Sequence, residues 1–202
     1  MRKFKEDSII LATHNRGKVE EMKKLLENFS NVRLYSSADF KLDEPEEFGN
    51  TYLENAQIKA RYTCNNTGLA CLSDDSGIEV SALDGAPGVY TADWAKKNGS
   101  RNFDYAMKRV WDELNKRDAP YPRRAQFRCT LVLIWPDTHE EAFEGTSDGT
   151  LIWPGKGENG HGFDPMFIPK NYSLTYGEMD RWYKNSISHR AKAFEKMINN
   201  CF

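Results

Sequence analysis

The sequence predicts an α/β protein whose sheet is curved or mixed rather than strictly parallel. Strand-like and helix-like segments alternate, beginning with an apolar run at residues 8–12 that leads through a polar turn into an amphipathic stretch. Residues 126–152 instead look like antiparallel strands. A length of 202 residues with 39% hydrophobic residues supports a sizeable core, in either one large domain or two small lobes.

Each element has its own local signal. Residues 8–12, 32–36 and 69–73 are short apolar or alternating runs of the kind that form strands. The first helix is predicted from the spacing of Val19, Met22, Leu25, Leu26 and Phe29. Thr51 and Glu54 form a capping box before a second helix, which Gly68 ends. One face of this helix is predicted to carry Leu53, Ala56, Ala60 and Cys64.

The second half of the chain predicts two more helices and a strand pair. An apolar stripe over residues 103–114 indicates a helix. Residues 126–135 form a strand that pairs with residues 141–146 across a turn at 136–139. The last helix is predicted over residues 188–199.

Composition excludes several classes of function. With 28 Lys and Arg against 30 Asp and Glu, the net charge of -2 argues against a mainly electrostatic binder of nucleic acids or membranes. No apolar run approaches the ~20 residues that span a bilayer, so we expect a cytoplasmic protein. The cysteines and histidines lack zinc-site spacings, so we expect buried free thiols, and any metal should be a hard ion on carboxylates.

A polar turn between the first strand and the first helix is a candidate phosphate site. Backbone N–H groups and the positive end of a helix dipole suit an anion there, and side chains add further donors. The turn lacks the second glycine of a Walker A loop. An ordinary helix N-cap with a surface lysine is an alternative interpretation. The residues of the turn are Thr13, His14, Asn15, Arg16, Gly17 and Lys18.

Adjacent carboxylates after the third strand form a second candidate site. Asp74 and Asp75 repel each other unless a cation or a proton lies between them, and Asp75 with a carboxylate from residues 44–47 could hold Mg²⁺. The alternative is an Asp-rich turn in which Gly77 supplies an unusual backbone angle. A further Asp-Gly-Thr run at residues 148–150 is predicted to be a hairpin turn.

Two later segments carry ring-bearing and cationic residues. In a glycine-dense segment, His161 and Phe163 offer rings for stacking, with a plain glycine-rich loop as the alternative. Ser188 is placed to cap a helix whose first turn presents His189 and Arg190. Cations at a helix N-terminus are electrostatically disfavoured, which indicates a reason other than helix stability.

Taken together, these residues resemble the Ham1-like family of inosine/xanthosine triphosphate pyrophosphatases, which are house-cleaning nucleotide hydrolases. The family's motifs occur in order over nearly the whole chain, which argues against a chance match. They are A-T-x-N-x-x-K at residues 12–18, T-x-x-E-N-A-x-x-K-A at 51–60, D-D-S-G at 74–77, G-A-P-G-V-Y at 85–90, G-F-D-P at 162–165 and S-H-R at 188–190.

The resemblance implies a single domain over residues 1–202, with two lobes around a long, curved mixed sheet, flanking helices and an active cleft between the lobes. The resemblance implies a homodimer as well. It also implies hydrolysis of ITP, dITP and XTP to the monophosphate and pyrophosphate, with Mg²⁺ as cofactor and no stable binding to nucleic acids or membranes.

Site roles are implied position by position. Glu46 and Asp75 meet the metal, and Asp75 is the general base toward a Mg²⁺-activated water that attacks the α-phosphate. The turn described above, from Thr13 to Lys18, grips the triphosphate. The substrate site is completed by Ser76, His161, Gly162, Phe163, Asp164, Lys184, His189 and Arg190.

The chemistry of these residue types agrees with the implied reaction. Mg²⁺ neutralises charge on the α-phosphate, a carboxylate takes the proton of the water, and Lys18 stabilises the leaving pyrophosphate. A 6-keto purine presents an acceptor where adenine presents an amino donor. Donors such as Lys184 and Arg190 would therefore discriminate against adenine by roughly 10² or more.

Two positions depart from the family pattern. His161 stands where the family often has an aromatic ring, so base stacking there is expected to be weaker or pH-sensitive. Asp93 stands where many relatives carry a cation, so no phosphate or interface contact is carried over to that position.

Three rival functions remain open. A non-catalytic nucleotide-binding module is opposed by the presence of Asp74, Asp75 and Glu46. A pyrophosphatase of the same fold acting on other modified nucleotides can be separated only by a substrate panel. A nucleic-acid binder would need a phosphate track of three arginines, which more often form a solvated face or salt bridges: Arg123, Arg124 and Arg128.

Overall fold

Strands and helices alternate in the first half of the chain, and long strands dominate the second. A computed structural model describes residues 1–26 and 32–202, so the predicted helix residue Phe29 lies outside the described residues. The first elements are β1 (Ser8–Leu11), α1 (Arg16–Leu26), β2 (Arg33–Ser36), α2 (Tyr52–Thr67), β3 (Cys71–Val80), α3 (Thr91–Trp94), β4 (Lys96–Lys97) and β5 (Ser100–Arg101). They are followed by α4 (Phe103–Lys116), β6 (Arg124–Ile134), β7 (Glu140–Leu151), β8 (Phe167–Pro169), α5 (Arg181–Ile187) and α6 (His189–Cys201).

The main sheet is mixed. Its strand order is β2-β1-β3-β6-β7-β8, and β4 pairs with β5 in a separate hairpin. β1 runs parallel to β2 and β3, whereas β7 and β8 are antiparallel. The connection between β6 and β7 is so short that only antiparallel strands can use it. This mixed α/β arrangement confirms the predicted fold class.

The described residues form two compact units. The first unit comprises Met1–Asp75, Cys129–Gly145 and Arg190–Phe202. In β1, Ile9 packs in a cluster with residues of α1 and α6, whereas Ile10 packs in a second cluster with residues of α2. Because successive strand residues face opposite sides of a sheet, the first unit has helices on both faces of its strands.

The second unit comprises Ser76–Arg128 and Thr146–His189. Its core is organised by the apolar stripe of α4, as the sequence predicts. This stripe packs with apolar residues from the second half of β3, from the start of β6 and from β8. The α4 residues in this core are Ala106, Met107, Val110 and Leu114.

The predicted ends of α2 are confirmed. Thr51 Oγ1 accepts a hydrogen bond from the Glu54 backbone N–H at 3.1 Å, and the Glu54 carboxylate accepts one from the Thr51 N–H at 3.1 Å. Gly68 ends the helix with φ of 67°. Leu53 of the predicted face is exposed, while Lys59 of the same helix is buried.

β3 continues through the adjacent aspartates instead of ending before them. The sequence predicts a strand over residues 69–73, whereas β3 spans Cys71–Val80 and contains both Asp74 and Asp75. The interpretation as an Asp-rich turn is therefore wrong. The strand can continue because cations compensate both buried carboxylates, as described below.

The prediction of a hairpin turn at residues 148–150 is also wrong. These residues lie inside β7, where Gly149 pairs with Pro169 of β8. A Cβ atom at position 149 would lie 2.3 Å from the carbonyl oxygen of Ile168. The absence of a side chain at Gly149 therefore allows β8 to lie close to β7.

The C-terminal helical region contains one helix more than the sequence predicts. α6 matches the predicted last helix, but α5 precedes it and begins after Asp180, whose carboxylate accepts hydrogen bonds from two backbone N–H groups of the first turn. Ser188 lies between the helices in an extended conformation, and its hydroxyl donates to the Asn185 carbonyl oxygen at 3.3 Å.

The cysteine prediction is confirmed, because Cys64, Cys71, Cys129 and Cys201 are all buried and free. Among the helices of residues 1–26 and 32–202, none is both long and apolar enough to cross a membrane.

Candidate active site

The predicted polar turn continues into α1 at Arg16, and side chains of the turn cap the helix. Asn15 Oδ1 accepts a hydrogen bond from the Lys18 backbone N–H at 3.2 Å, and Thr13 Oγ1 accepts one from the Asn15 N–H at 3.2 Å. Lys18 is not the surface lysine of the alternative interpretation, because its half-buried side chain pairs with Asp74. The predicted N-cap itself is present. It does not exclude an anion, because such a cap satisfies only part of the N–H groups of a helix N-terminus. The exposed residues of the turn are His14, Arg16 and Gly17.

His14 connects this turn to the backbone just before the acidic segment at residues 43–47. Its Nε2 atom lies 2.8 Å from the Leu42 carbonyl oxygen. Because a carbonyl only accepts hydrogen bonds, Nε2 carries the proton in this contact.

Asp74 is buried against cations. Its Oδ2 atom lies 2.9 Å from Lys18 Nζ and 3.0 Å from Arg190 Nη2, and Arg190 Nη1 donates to Glu21 at 2.8 Å. Burial alone would raise the pKa of Asp74, but Lys18 and Arg190 outweigh it and hold that pKa well below its ordinary value. Asp74 is therefore ionised and shares its charge between the two cations.

Asp75 has a different set of partners. Its Oδ2 atom accepts a hydrogen bond from Asn55 Nδ2 at 3.3 Å, and its Oδ1 atom lies 3.6 Å from Lys59 Nζ. Lys59 also donates to Glu47 Oε1 at 3.1 Å. Burial raises the pKa of Asp75, Lys59 opposes this shift, and the negative charge of Glu47 adds to it. A buried carboxylate of this kind is suited to accepting a proton.

The two aspartates serve opposite faces of β3. The partners of Asp74 lie on α1 and α6, whereas those of Asp75 on helical elements lie on α2. This division follows from the two-residue period of a strand. Each carboxylate contacts its own cations, and Lys18 and Lys59 each also lower the pKa of the other aspartate.

A hard metal ion fits the donors around Asp75. Among the described residues, no three His, Cys, Asp or Glu side chains are grouped as a metal site. Mg²⁺, however, is often held by only one or two carboxylates together with substrate phosphates. The buried Asp75 carboxylate supplies such oxygens, and Glu47 is the acidic residue that Lys59 brings near it. Glu46 is exposed, and Glu47 is the residue that contacts Lys59.

In the second unit, Asp164 and Lys184 form a buried ion pair. Lys184 Nζ lies 3.1 Å from Asp164 Oδ2, and the same oxygen accepts a hydrogen bond from the His161 backbone N–H at 2.7 Å. Gly160 has φ of 83°, and a Cβ atom there would lie 2.2 Å from Asp164 Oδ2. Only glycine allows the backbone at position 160 to lie this close to Asp164, so the loop conformation and the ion pair depend on each other.

The rings predicted for stacking lie in different environments. Phe163 is 1% exposed and belongs to the core of the second unit, so its ring is not available at the surface. His161 is exposed and meets the edge of Phe103 at a centroid distance of 4.9 Å. His189 is buried and stacks on Phe127 at 4.9 Å. Two further residues predicted for the substrate site, Ser76 and Gly162, are half-buried.

Several polar residues of these clusters were missed by the sequence reasoning. Asn55 and Lys59 lie one helical turn apart on the buried face of α2, beside Ala56 and Ala60. Polar side chains on an otherwise apolar face are a detectable signal of a buried site. Glu21 gives a similar signal on α1, where it is buried together with Met22 and Leu26.

The protein is thus of the mixed α/β class, with buried carboxylate–cation clusters around Asp74, Asp75 and Asp164. The Ham1 family model matches residues 9–200, and the chain belongs to this family.

Relatives match over the whole chain. A dITP/XTP pyrophosphatase of Ruegeria pomeroyi is 55% identical over 201 residues, covering 100% of this chain and 98% of that protein. A dITP/XTP pyrophosphatase of Rhodospirillum centenum is 47% identical over 202 residues, again with 100% and 98% coverage. The structure of a HAM1 protein from Coxiella burnetii has a TM-score of 0.88 at 34% identity, covering 96% of this chain and 98% of that one.

Proposed function

We propose that the protein is a nucleoside-triphosphate pyrophosphatase that hydrolyses ITP, dITP and XTP to the monophosphate and pyrophosphate, and so cleanses the nucleotide pool. The observation that carries this proposal is the buried Asp75 carboxylate beside Lys59, in the same unit as Lys18. A carboxylate base and cations are the groups that this hydrolysis requires. Family membership and the names of the relatives support the substrate class.

In the first unit, we assign the triphosphate to the turn before α1 and to the first turn of α1. This assignment includes Thr13, His14, Asn15, Arg16, Gly17 and Lys18. Lys18 is well placed for such a role, because its side chain is 24% exposed although it pairs with Asp74. An ammonium has three N–H donors, so one contact with Asp74 leaves donors for a phosphate.

Asp75 acts as the general base. It takes the proton of the water that attacks the α-phosphorus, and the charge of the departing pyrophosphate is stabilised by Lys18. Glu46 and Asp75 would hold Mg²⁺, with Glu47 as the neighbouring carboxylate that the structure places on Lys59. When bound, Mg²⁺ supplies neutralisation of phosphate charge and a lower pKa for bound water.

In the second unit, we assign the rest of the substrate to residues that include Lys184 as the main donor to the base. A 6-keto group accepts a hydrogen bond where the adenine amino group would leave that donor unpaired. The assigned residues are Ser76, His161, Gly162, Asp164, Lys184 and His189. Phe163 was predicted with them, but its ring lies in the core of the second unit, so we assign it no contact with the substrate. Arg190 was assigned with them from the sequence, and in the first unit it already pairs with Asp74 and Glu21.

The direct test is the identity of the products. With ITP or XTP, we expect pyrophosphate and the monophosphate to form only when Mg²⁺ is present, because attack at the α-phosphorus releases both outer phosphates together. A panel of triphosphates with and without chelator, read by ion-exchange chromatography, decides this. Formation of nucleoside diphosphate and orthophosphate would contradict the reaction, and a preference for modified pyrimidines would favour a same-fold pyrophosphatase of other specificity.

The Lys184→Ala variant tests base recognition. We expect the preference for ITP over ATP to fall by about one to two orders of magnitude, because a charge-assisted hydrogen bond of ~1.5 to 3 kcal/mol is lost for ITP alone. The measurement is kcat/KM for both nucleotides, with Lys170→Ala as a control at an exposed lysine of the same unit. Equal losses on ITP and ATP would instead indicate that Lys184 binds phosphate.

Location and assembly complete the proposal. We place the protein in the cytoplasm, and its four buried free cysteines support a reducing compartment. We also propose a homodimer on the basis of the family resemblance. Light scattering coupled to size-exclusion chromatography tests this, and a mass of 23.2 kDa would indicate a monomer.

A further inference from the structure

Lys184 is confined on two sides by buried groups. On one side, its ammonium lies 3.1 Å from Asp164 Oδ2. On another, it lies 5.5 Å from the centroid of the Tyr176 ring, within the range of a cation–π interaction. The Lys184 side chain is only 9% exposed, so these contacts determine where its remaining donors can lie.

Tyr176 is itself fixed at both ends. Its hydroxyl group shares a hydrogen bond of 2.7 Å with Ser147 Oγ. Its ring packs against Phe167 at a centroid distance of 5.2 Å and against Phe127 at 6.1 Å. The side chain has 0% exposure. Burial raises the pKa of Tyr176 to about 12, so the ring stays neutral beside Lys184 at working pH.

The same packing reaches a second residue assigned to the substrate. Phe127 packs on Tyr176 at a centroid distance of 6.1 Å and stacks on His189 at 4.9 Å with an interplanar angle of 10°. The Tyr176 ring is thus connected by packing to His189 as well as to Lys184. All these residues belong to the second unit.

We propose that Tyr176 is a positioning residue for base recognition, because its ring, together with Asp164, fixes the Lys184 ammonium and, through Phe127, fixes the His189 ring. Tyr176 is wholly buried and acts through these residues rather than on the substrate. The proposal rests on the proposed function, in which Lys184 and His189 contact the nucleotide. It also gives Asp164 a holding role on Lys184 and on the His161 backbone.

The test compares Tyr176→Met, which removes the ring but retains apolar volume, with Tyr176→Phe, which retains the ring. For Tyr176→Met we expect kcat/KM for ITP to fall about 3- to 30-fold, mainly through KM, with little change for ATP. Tyr176→Phe loses only the hydrogen bond to Ser147, so its ITP/ATP ratio is expected to fall no more than about 2- to 3-fold. Tyr105→Leu is the matched control, since Tyr105 is exposed and holds Lys97 at 4.9 Å in the same kind of contact.

A second measurement does not depend on turnover. Reductive methylation by formaldehyde and dimethylamine-borane, followed by peptide mass spectrometry, reports how freely Lys184 reacts. We expect Lys184 to be methylated faster in Tyr176→Met than in wild type, and not in Tyr105→Leu. If wild type does not hydrolyse ITP, the proposed function fails, whereas slow methylation of wild-type Lys184 and fast methylation in the variant still support the fixing of Lys184 by Tyr176.

Two results for Tyr176→Met would overturn its role in base recognition, whether or not Lys184 is methylated faster. One is an equal loss of kcat/KM on ITP and ATP, and the other is no loss on either nucleotide. Should Tyr176→Met fail to fold, Ser147→Ala tests the same arrangement by removing the partner of the Tyr176 hydroxyl. It is expected to lower the ITP/ATP ratio about 2- to 3-fold and to speed methylation of Lys184, and no change in either would overturn the proposal.

Discussion

The Asp75→Asn variant is expected to lower kcat for ITP at least ~100-fold, equivalent to about 2.7 kcal/mol of transition-state stabilisation. The amide has nearly the same shape as the carboxylate, but it cannot accept the proton of the attacking water and brings no negative charge to a metal. Steady-state kinetics with saturating Mg²⁺ measures the effect. Binding of the substrate is expected to suffer less than turnover.

Asp112→Asn is the matched control for this variant. It removes one carboxylate from an exposed ion pair with Lys108 on α4, so kcat is expected to stay at the wild-type value. Circular dichroism checks that both variants are folded. If Asp75→Asn turned over near the wild-type rate, the role of base would have to move to Asp74 or Glu46.

The Asp74→Ala variant is expected to lower the free energy of unfolding by about 3 to 5 kcal/mol. The side chain is almost wholly buried, and its removal takes away the carboxylate that Lys18 and Arg190 share. Arg190 is itself buried, so its charge would be compensated less completely by Glu21 alone. Urea denaturation monitored by tryptophan fluorescence gives the difference.

The pH dependence of the free energy of unfolding tests the contribution of the Asp74 carboxylate more sharply. The pKa of Asp74 is lower in the folded protein than its ordinary value of 3.8. Its stabilisation is therefore complete above about pH 5 and is lost as the pH falls through the folded-state pKa. The stability difference between wild type and Asp74→Ala should be constant near neutral pH and should shrink below about pH 4. Asp112→Ala, at an exposed pair, should change stability by less than ~1 kcal/mol throughout.

Local signals in the sequence were sufficient for elements whose stability is decided locally. The capping box at Thr51 and the helix end at Gly68 were predictable because their hydrogen bonds join residues close in sequence. The stripe of α4 was predictable because one apolar face repeats over more than three turns. α5 was missed because it has seven residues and carries exposed rings at Trp182 and Tyr183.

The extension of β3 could not be predicted locally. Two adjacent aspartates normally indicate a turn, and they are tolerated in a buried strand only because distant cations compensate them. Lys18 lies 56 positions before Asp74, and Arg190 lies 116 positions after it. The same limit applies to position 149, where the close approach of β8 requires a glycine and the neighbours in sequence do not.

The division of partners between Asp74 and Asp75 has a consequence for how β3 is aligned in the sheet. A shift of the strand by one residue would exchange the residues of the two faces. In one direction Asp75 would take the place of Asp74, and Ser76 would face Lys59; in the other direction Asp74 would take the place of Asp75, and Ser73 would face Lys18 and Arg190. One set of cations would then lose its carboxylate. The ionic groups assigned to the reaction therefore also penalise misalignment of the strand, so that an inserted or deleted residue in β3 would harm folding and catalysis through the same contacts.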